Sequence, residues 1–264
     1  MKVLFLGDVF GKPGRQAVVR SVPRYIAREA LDLVVVNAEN AAAGVGITPD
    51  MVEELLAAEV NLLTSGNHIW AKREIVPYLE RPDAKLLRPA NYPPGTPGRG
   101  SAVIATPDGR KLGVLNLEGR VFMKNLDDPF RVAEAELASL RAMGATVVLV
   151  DVHCEATSEK AALAWFLDGR VSAVLGTHTH VQTADERILP GGTAFLTDVG
   201  MCGPNDSIIG MKKELVLERF LSQRPTPFEA AKRDVWLQGA LLDIDEATGK
   251  ARSIVRVQER LGDL

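Results

Sequence analysis

The chain has 264 residues, 46% of them hydrophobic, and a formal net charge of −3. This length and composition allow one large buried core, so we expect a single α/β domain over residues 1–264. A net charge so close to zero excludes a global field that would draw the protein onto nucleic acid or an anionic membrane, and any phosphate binding must therefore be local.

The cysteine content and the N-terminal segment bear on the compartment. Cys154 and Cys202 are too few for a disulfide framework and show no CxxC spacing, which fits a reducing environment. The apolar run at residues 3–6 is too short for a signal peptide, and no later run approaches membrane-spanning length. The sequence predicts a cytoplasmic protein with no membrane segment. It leaves the oligomeric state open, a homo-oligomer included.

The first third of the chain alternates strands and helices. The predicted strands lie at residues 2–6, 33–36 and 60–65, and the predicted helices at about 15–29, 49–59 and 72–79. The run at residues 33–36 is continuously apolar and β-branched, the pattern of a strand covered on both faces. Thr48 is a good N-cap, with Pro49 at the first helical position. The chain thus begins with a strand, a glycine-containing loop at residues 7–14 and a helix, the order in which α/β domains commonly begin.

The remainder of the chain adds antiparallel signals. The predicted strands lie at residues 101–106, 111–117, 146–152, 171–175, 193–197, 235–244 and 252–259, and the helices at about 129–143, 158–167 and 214–223. The turn at residues 107–110 and the turn at residues 245–250 each join two predicted strands into a β-hairpin. Asp128 caps one helix and Gly144 ends it. The hairpins imply either one mixed sheet or two sheets.

Polar side chains able to bind a metal follow five of these strands. They are Asp8, Glu39, Asn67, His153 and the pair His178 and His180. Ligands of open α/β sheets bind beyond the carboxyl ends of strands, so we expect these side chains to converge. His68 directly follows Asn67, so all four histidines of the chain lie at strand ends.

The Gly-Thr-His-Thr-His segment at residues 176–180 holds two of those histidines. Side chains of an extended segment alternate between faces, so His178 and His180 are predicted to point the same way. Taken alone, the pair fits a metal site and a pair of hydrogen-bonded loop histidines equally well.

The number and type of these side chains favour two metal ions. Imidazole with carboxylate and amide oxygens suits manganese, iron or zinc, whereas a single structural zinc usually takes a closed, cysteine-rich tetrahedron. More ligands are present than one metal needs, and two metals bridged by a carboxylate account for them better. Such a pair, about 3.5 to 4 Å apart, generates a hydroxide nucleophile and clamps the oxygens of an in-line displacement at phosphorus.

The strand-end residues also form five ordered motifs that resemble those of the calcineurin-like metallophosphoesterases. These motifs are Gly7-Asp8, Ala38-Glu39-Asn40, Gly66-Asn67-His68, Val152-His153 and the segment at residues 176–180. Within that superfamily the chain most resembles the YmdB-like branch, which is similar to 2′,3′-cyclic-nucleotide 2′-phosphodiesterases, and the resemblance covers nearly the whole chain. It implies an α/β fold, an αββα sandwich of two mixed β-sheets flanked by helices.

The resemblance also implies roles for individual residues. Asp8, Asn40 and His180 would hold one metal, Asn67, His153 and His178 the other, and Glu39 would bridge the two. His68 would be unligated, protonating the leaving ribose oxygen or stabilising charge on the phosphoryl group. The implied reaction is hydrolysis of a 2′,3′-cyclic nucleotide, or a related phosphodiester, to a 3′-nucleotide through a hydroxide that bridges the metals.

Two departures from the broad superfamily support the narrower branch. The usual Asp-x-His reads Asp8-Val9-Phe10 here, and the usual Gly-Asp reads Ala38-Glu39. The amide oxygen of Asn40 would replace the lost imidazole, although Asn also suits a simple turn. That replacement gives the metal held by Asp8 an oxygen ligand in place of a nitrogen ligand. Iron or manganese is therefore expected, with zinc as the alternative.

Other interpretations remain open from the sequence. The chain fits a phosphomonoesterase or protein phosphatase, and it fits a non-catalytic signalling protein that binds nucleotide or associates with RNA. Cys154 and Cys202 are interpreted as small buried residues rather than nucleophiles. Thr179 is interpreted as a turn residue rather than a substrate contact.

Overall fold

The computed structural model describes residues 1–264, which form thirteen strands and six α-helices. The strands are β1 (Lys2–Leu6), β2 (Asp8–Val9), β3 (Leu33–Asn37), β4 (Leu62–Thr64), β5 (Ser101–Ala105), β6 (Lys111–Glu118), β7 (Val147–His153), β8 (Ala173–Thr177), β9 (Arg187–Ile188), β10 (Ala194–Leu196), β11 (Met201–Pro204), β12 (Val235–Ile244) and β13 (Ala251–Gly262). The helices are α1 (Gly11–Glu29), α2 (Pro49–Ala57), α3 (Ile75–Leu79), α4 (Pro129–Ala142), α5 (Thr157–Leu167) and α6 (Lys213–Ser222).

The strands form two mixed sheets, the second of the two arrangements that the hairpins allowed. The first sheet has the order β2-β11-β12-β1-β3-β4, with β13 paired to β12. In it β1, β3 and β4 are parallel, and β12 is antiparallel to β1. The second sheet has the order β5-β6-β7-β8-β10-β9, in which β6, β7, β8 and β10 are parallel and the edge strands β5 and β9 are antiparallel.

Three apolar layers hold the two sheets and their helices together. In β1, Val3 and Phe5 belong to the core between the sheets, whereas Leu4 and Leu6 belong to the core shared with α1, α2 and α3. A third core packs α4 and α5 against the outer face of the second sheet. Because β1 and β3 bury both faces, their sequences are almost continuously apolar. The layers make an αββα sandwich, as the family resemblance implied.

The start of α1 differs from the prediction. The helix begins at Gly11 rather than near Arg15, so part of the predicted glycine loop is helical. Pro13 is accommodated because the first turn of a helix needs no backbone donor. A Cβ at Gly14 would lie 2.2 Å from the carbonyl oxygen of Cys202, so the glycine lets α1 pack directly on β11. The short strands β2 and β11 were not predicted.

Residues 205–232, between β11 and β12, form a projecting segment that carries α6. Its base is closed by hydrogen bonds from Asn205 N to Asp234 O and from Ala231 N to Gly210 O. No residue of α6 is buried. None of the six α-helices combines the length and the apolar character that crossing a membrane requires.

Candidate metal centre

The side chains singled out from the sequence converge at one edge of the sandwich, where β3, β4, β7 and β8 end. They form two groups with the buried Glu39 carboxylate between them. The first group is Asn67, His153 and His178, and the second is Asp8, Asn40 and His180.

The first group surrounds a single nitrogen atom of His153. Nε2 of this buried ring lies 3.0 Å from Glu39 Oε1, 3.0 Å from Asn67 Oδ1 and 3.0 Å from Nδ1 of His178. One ring nitrogen carries at most one proton or one lone pair, so it cannot satisfy three polar partners. Ligand atoms of Glu39, His153 and His178 all lie within 4.8 Å of one another, which fits a metal ion in the space that they share.

A hydrogen-bond chain behind His153 fixes the orientation of its ring. Nδ1 of His153 lies 2.9 Å from Oγ1 of Thr177, and the Thr177 hydroxyl donates to Asp151 Oδ1 at 2.7 Å. Because its only proton goes to Asp151, Thr177 accepts a hydrogen bond from Nδ1–H. Burial raises the pKa of Asp151 to about 6, which leaves the carboxylate ionised at neutral pH. The arrangement resembles the carboxylate-anchored histidines of metal sites.

The second group is built around a carboxylate oxygen that has no donor. Asp8 Oδ1 is buried without a hydrogen-bond partner and lies 3.7 Å from Nε2 of His180. Nδ1 of His180 lies 3.0 Å from the carbonyl oxygen of Ile209, which can only accept. Nδ1 therefore carries the proton and the Nε2 lone pair faces Asp8. Burial raises the pKa of Asp8, so its ionised form beside the ring lone pair needs a cation.

Asn40 connects the second group to Glu39. Its Nδ2 lies 3.1 Å from Nε2 of His180 and 3.2 Å from Glu39 Oε1, both of which act as acceptors in the metal-free protein. A half-turn of the terminal amide exchanges Nδ2 and Oδ1 at nearly unchanged shape. The structure thus places the Asn40 amide where its oxygen would face a cation.

The pKa values show that the cluster attracts positive charge. Burial opposes protonation of His153, but the adjacent Glu39 and Asp8 carboxylates raise its pKa to about 9. Burial and the neighbouring His153 lower the pKa of His178 to about 3. Burial opposes ionisation of Glu39 as well, yet His153 lowers the Glu39 pKa to about 2. The carboxylates of Glu39 and Asp8 therefore favour a positive charge beside His153.

The backbone of the two loop histidines corrects one prediction. Strand β8 ends at Thr177, and His178 and His180 have φ values of 95° and 64°. The segment is therefore not extended, so the alternation of an extended strand is not what brings the two rings to the same cleft. The left-handed conformations turn His178 toward His153 and His180 toward Asp8. Such conformations cost about 1–3 kcal/mol each outside glycine, so the surrounding structure must hold them.

A buried ion pair holds this loop, and the sequence analysis missed it. Asp198 Oδ2 accepts hydrogen bonds from Thr179 N at 3.2 Å and Thr179 Oγ1 at 2.5 Å. Nζ of the fully buried Lys160 lies 2.8 Å from the same oxygen and 3.2 Å from Thr179 Oγ1. Thr179 thus makes hydrogen bonds that hold the turn, and it also lines the cleft over the cluster. Nothing in the sequence marked Lys160, because a lysine within a predicted helix is ordinarily solvated.

Gly66 gives the two groups room to approach each other. A Cβ at this position would lie 2.3 Å from Nε2 of His153 and 2.4 Å from Oε2 of Glu39. No side chain fits there without displacing the atoms that face the shared space. The glycine of the third motif is therefore a steric requirement of the cluster.

A cleft of about 590 Å³ opens over the cluster. Its polar side includes Glu39, Asn40, His68, His178 and His180, and its apolar side includes Phe10, Val45, Ile209, Met211 and Phe228. The partly exposed His68 ring makes no hydrogen bond within the protein, while its backbone N–H donates to Glu39 Oε2 at 3.2 Å. The Phe10 ring packs edge-on to His180 with centroids 5.8 Å apart.

An αββα sandwich with carboxylate, amide and imidazole side chains gathered at its strand ends has the fold and the donor set of a metallophosphoesterase. The chain belongs to the YmdB-like family, because the family model described as YmdB-like protein matches residues 4–257. Both the family resemblance and the fold expected from the sequence are thereby confirmed.

Three relatives illustrate the similarity. A Bacillus subtilis protein named 2′,3′-cyclic-nucleotide 2′-phosphodiesterase is 46% identical over 97% of this chain and 96% of its own length. A crystal structure of a Thermus thermophilus hypothetical protein has 45% identity and a TM-score of 0.91, covering 98% of this chain and 99% of its own. A crystal structure described as a novel phosphatase from Mycoplasma pneumoniae has 34% identity and a TM-score of 0.92, covering 100% of this chain and 94% of its own.

Proposed function

We propose that the protein is a dinuclear metal-dependent phosphodiesterase that hydrolyses 2′,3′-cyclic nucleotides, or related phosphodiesters, to 3′-nucleotides. The observation that carries the proposal is the division of the donors into two groups on either side of Glu39. The name of the B. subtilis relative supports the choice of substrate.

The donors of each group suit a resident metal ion. Asp8, Asn40 and His180 would hold one ion, Asn67, His153 and His178 the other, and Glu39 would contribute to both. The donorless Asp8 Oδ1 and the three polar atoms around His153 Nε2 support this assignment. When bound, two such ions supply an activated water and positive charge for the phosphoryl oxygens. Oxygen donors from Asp8 and Asn40 favour iron or manganese, with zinc as the alternative.

His68 is the proposed general acid. Its ring lies on the cleft wall without a hydrogen-bond partner, and its backbone is tied to the Glu39 carboxylate. When water adds to phosphorus, the P–O2′ bond breaks and the 2′-oxygen takes the electron pair of that bond. A protonated imidazole beside the departing oxygen supplies the proton that completes the 2′-hydroxyl.

A substrate panel tests the proposal. Protein reconstituted separately with iron, manganese and zinc would be given 2′,3′-cyclic AMP, bis-p-nitrophenyl phosphate and p-nitrophenyl phosphate. We expect 3′-AMP from the cyclic nucleotide and turnover of the diester. A short RNA ending in a 2′,3′-cyclic phosphate tests whether the same group is accepted on a polymer.

The same panel distinguishes the alternatives. Preference for p-nitrophenyl phosphate would identify a phosphomonoesterase, the second candidate, which the description of the M. pneumoniae structure as a phosphatase favours. Tight nucleotide binding without turnover of any substrate would identify a non-catalytic binding protein. Elemental analysis of protein purified without added metal would establish which ions the cluster selects.

A further inference from the structure

A second cleft, of about 430 Å³, lies beside the metal cleft and is called the side cleft below. It is formed by α6, the turn before it and residues 226–229. Its apolar lining includes Ile209, Met211, Leu215, Val216, Phe220 and Phe228. Arg219 and Gln223 add polar groups at its margin. Its volume lies within the range of pockets that hold small molecules, about 300–1,000 Å³.

The side cleft shares part of its lining with the metal cleft. Ile209, Met211 and Phe228 line both of them. The wall that they form is tied to the metal centre, because the Ile209 carbonyl accepts the hydrogen bond from Nδ1 of His180. A ligand held at the metal centre therefore has this shared apolar wall beside it.

The aromatic surface of the side cleft is exposed in the free protein. Phe228 is 65% exposed and Phe220 is 70% exposed. The Arg219 guanidinium lies 5.4 Å from the Phe228 ring centroid and makes no ion pair. A flat apolar surface with unused hydrogen-bond donors at its edge matches a heterocyclic ring, which offers a π-face and polar edge atoms.

We propose that the side cleft is the nucleobase subsite, with the base stacked on Phe228 while the cyclic phosphate lies at the metal centre. This inference rests on the proposed function. In a nucleotide, one ribose connects a charged phosphodiester to a flat, weakly polar ring. In the protein, one shared wall connects a cation-binding cleft to an aromatic cleft, so the two parts of the ligand match the two clefts. The phosphodiester is thereby selected at the metals and the base at Phe228.

The test compares two substrates that differ only in the base. They are 2′,3′-cyclic AMP and the 2′,3′-cyclic phosphate of methyl riboside, which has no base. Because stacking on an aromatic side chain contributes substantially to base binding, Phe228→Ala should lower kcat/KM for cyclic AMP about tenfold to hundredfold, mainly through KM. The loss of kcat/KM on the methyl riboside should be much smaller, and Phe228→Trp should preserve activity on cyclic AMP.

The control is Leu221→Ala, which removes an 86% exposed apolar side chain of α6 that does not line the side cleft. This variant should keep wild-type kinetics on both substrates. Equal loss on both substrates in Phe228→Ala, or no loss on either, would overturn the subsite. An equal loss accompanied by a changed sedimentation coefficient would identify the surface as an interface between copies of the chain instead. Failure of the wild-type enzyme on both substrates would contradict the proposed function itself, a distinct result.

Discussion

Oγ1 of Thr177 lies 2.9 Å from Nδ1 of His153, and this contact determines which nitrogen of the imidazole faces the metal centre. The Thr177 hydroxyl donates its hydrogen bond to Asp151, so its oxygen accepts a hydrogen bond from Nδ1–H of His153. When a metal ion displaces the second proton, it is Nε2 whose lone pair faces the space shared with Glu39 and Asn67. The buried Asp151 carboxylate thus sets the tautomer of His153, a proposed metal ligand, through the hydroxyl of Thr177.

Thr177→Val should therefore weaken metal binding while the fold is kept. Valine has the shape of threonine but leaves Nδ1–H of His153 without an acceptor, so the required tautomer is no longer enforced. Loss of a residue that hydrogen-bonds to a metal ligand lowers metal affinity about 10- to 100-fold. Manganese titration against a competing chelator measures the effect.

The matched control for this variant is Thr193→Val. Thr193 is also fully buried and donates to the Val171 carbonyl, near the opposite end of β8. Its loss should lower the free energy of unfolding without changing metal affinity. Equal metal affinities for Thr177→Val and the wild-type protein would show that His153 needs no help from Thr177.

His68→Ala should lower turnover of 2′,3′-cyclic AMP about 10²- to 10⁴-fold, because general acid catalysis contributes that range. Nitrophenolate departs without needing a proton, so the loss on bis-p-nitrophenyl phosphate should be much smaller. Metal content should stay at the wild-type level, since the ring makes no contact with the proposed ligands. Loss of metal would instead make His68 a ligand.

Gly66→Ala should abolish binding at the His153 side of the cluster. The new methyl group would lie 2.3 Å from Nε2 of His153 and 2.4 Å from Oε2 of Glu39, both of them buried, so one must move. Elemental analysis should show reduced metal per chain, together with lost turnover. Gly95→Ala is the comparison: a Cβ there meets nothing within 4 Å, so the alanine is disfavoured only by its backbone φ of 85° and metal content should stay at the wild-type level. Full metal content in Gly66→Ala would mean that the ligands do not need this close approach.

Much of the fold was predictable because its signals are local. The apolar runs of β3 and β7 and the cap at Asp128 are local signals, and the ordered strand-end motifs placed the cluster at one edge. The early start of α1 was not predictable, because it depends on Gly14 meeting the Cys202 carbonyl, a contact between residues distant in the chain.

Two features of the site, the backbone of the histidine loop and the burial of Lys160, were also not predictable because they depend on contacts between residues distant in the chain. The left-handed φ values of His178 and His180 are imposed by the hydrogen bonds that Thr179 makes to Asp198. Lys160 is buried because Asp198, 38 residues later in the chain, neutralises it. Residue type and spacing therefore identify the side chains that face a metal, but not the tertiary contacts that orient them.

Lys160→Met tests whether the buried ion pair orients the ligands. Methionine fills a similar volume but leaves Asp198 charged and without its counterion. Removing one partner of a buried pair costs about 3–5 kcal/mol of unfolding free energy. The double variant Lys160→Met with Asp198→Asn should be less destabilised than the single variant, because no unpaired charge remains. Urea unfolding of the metal-free proteins measures both, and Lys212→Met, whose partner Glu229 is exposed, should change little.

Metal affinity then separates orientation from stability. In the folded double variant Thr179 lacks the Lys160 ammonium, and the amide at position 198 offers one acceptor oxygen where Thr179 N and Gly200 N need one each. The strained loop should therefore relax toward ordinary φ values. His178 and His180 lie on either side of Thr179 and belong to different groups, so affinity should fall for both metals together. Thr177→Val, in contrast, should affect chiefly the metal at His153. Wild-type affinity for both ions in the double variant would show that the ion pair serves stability alone.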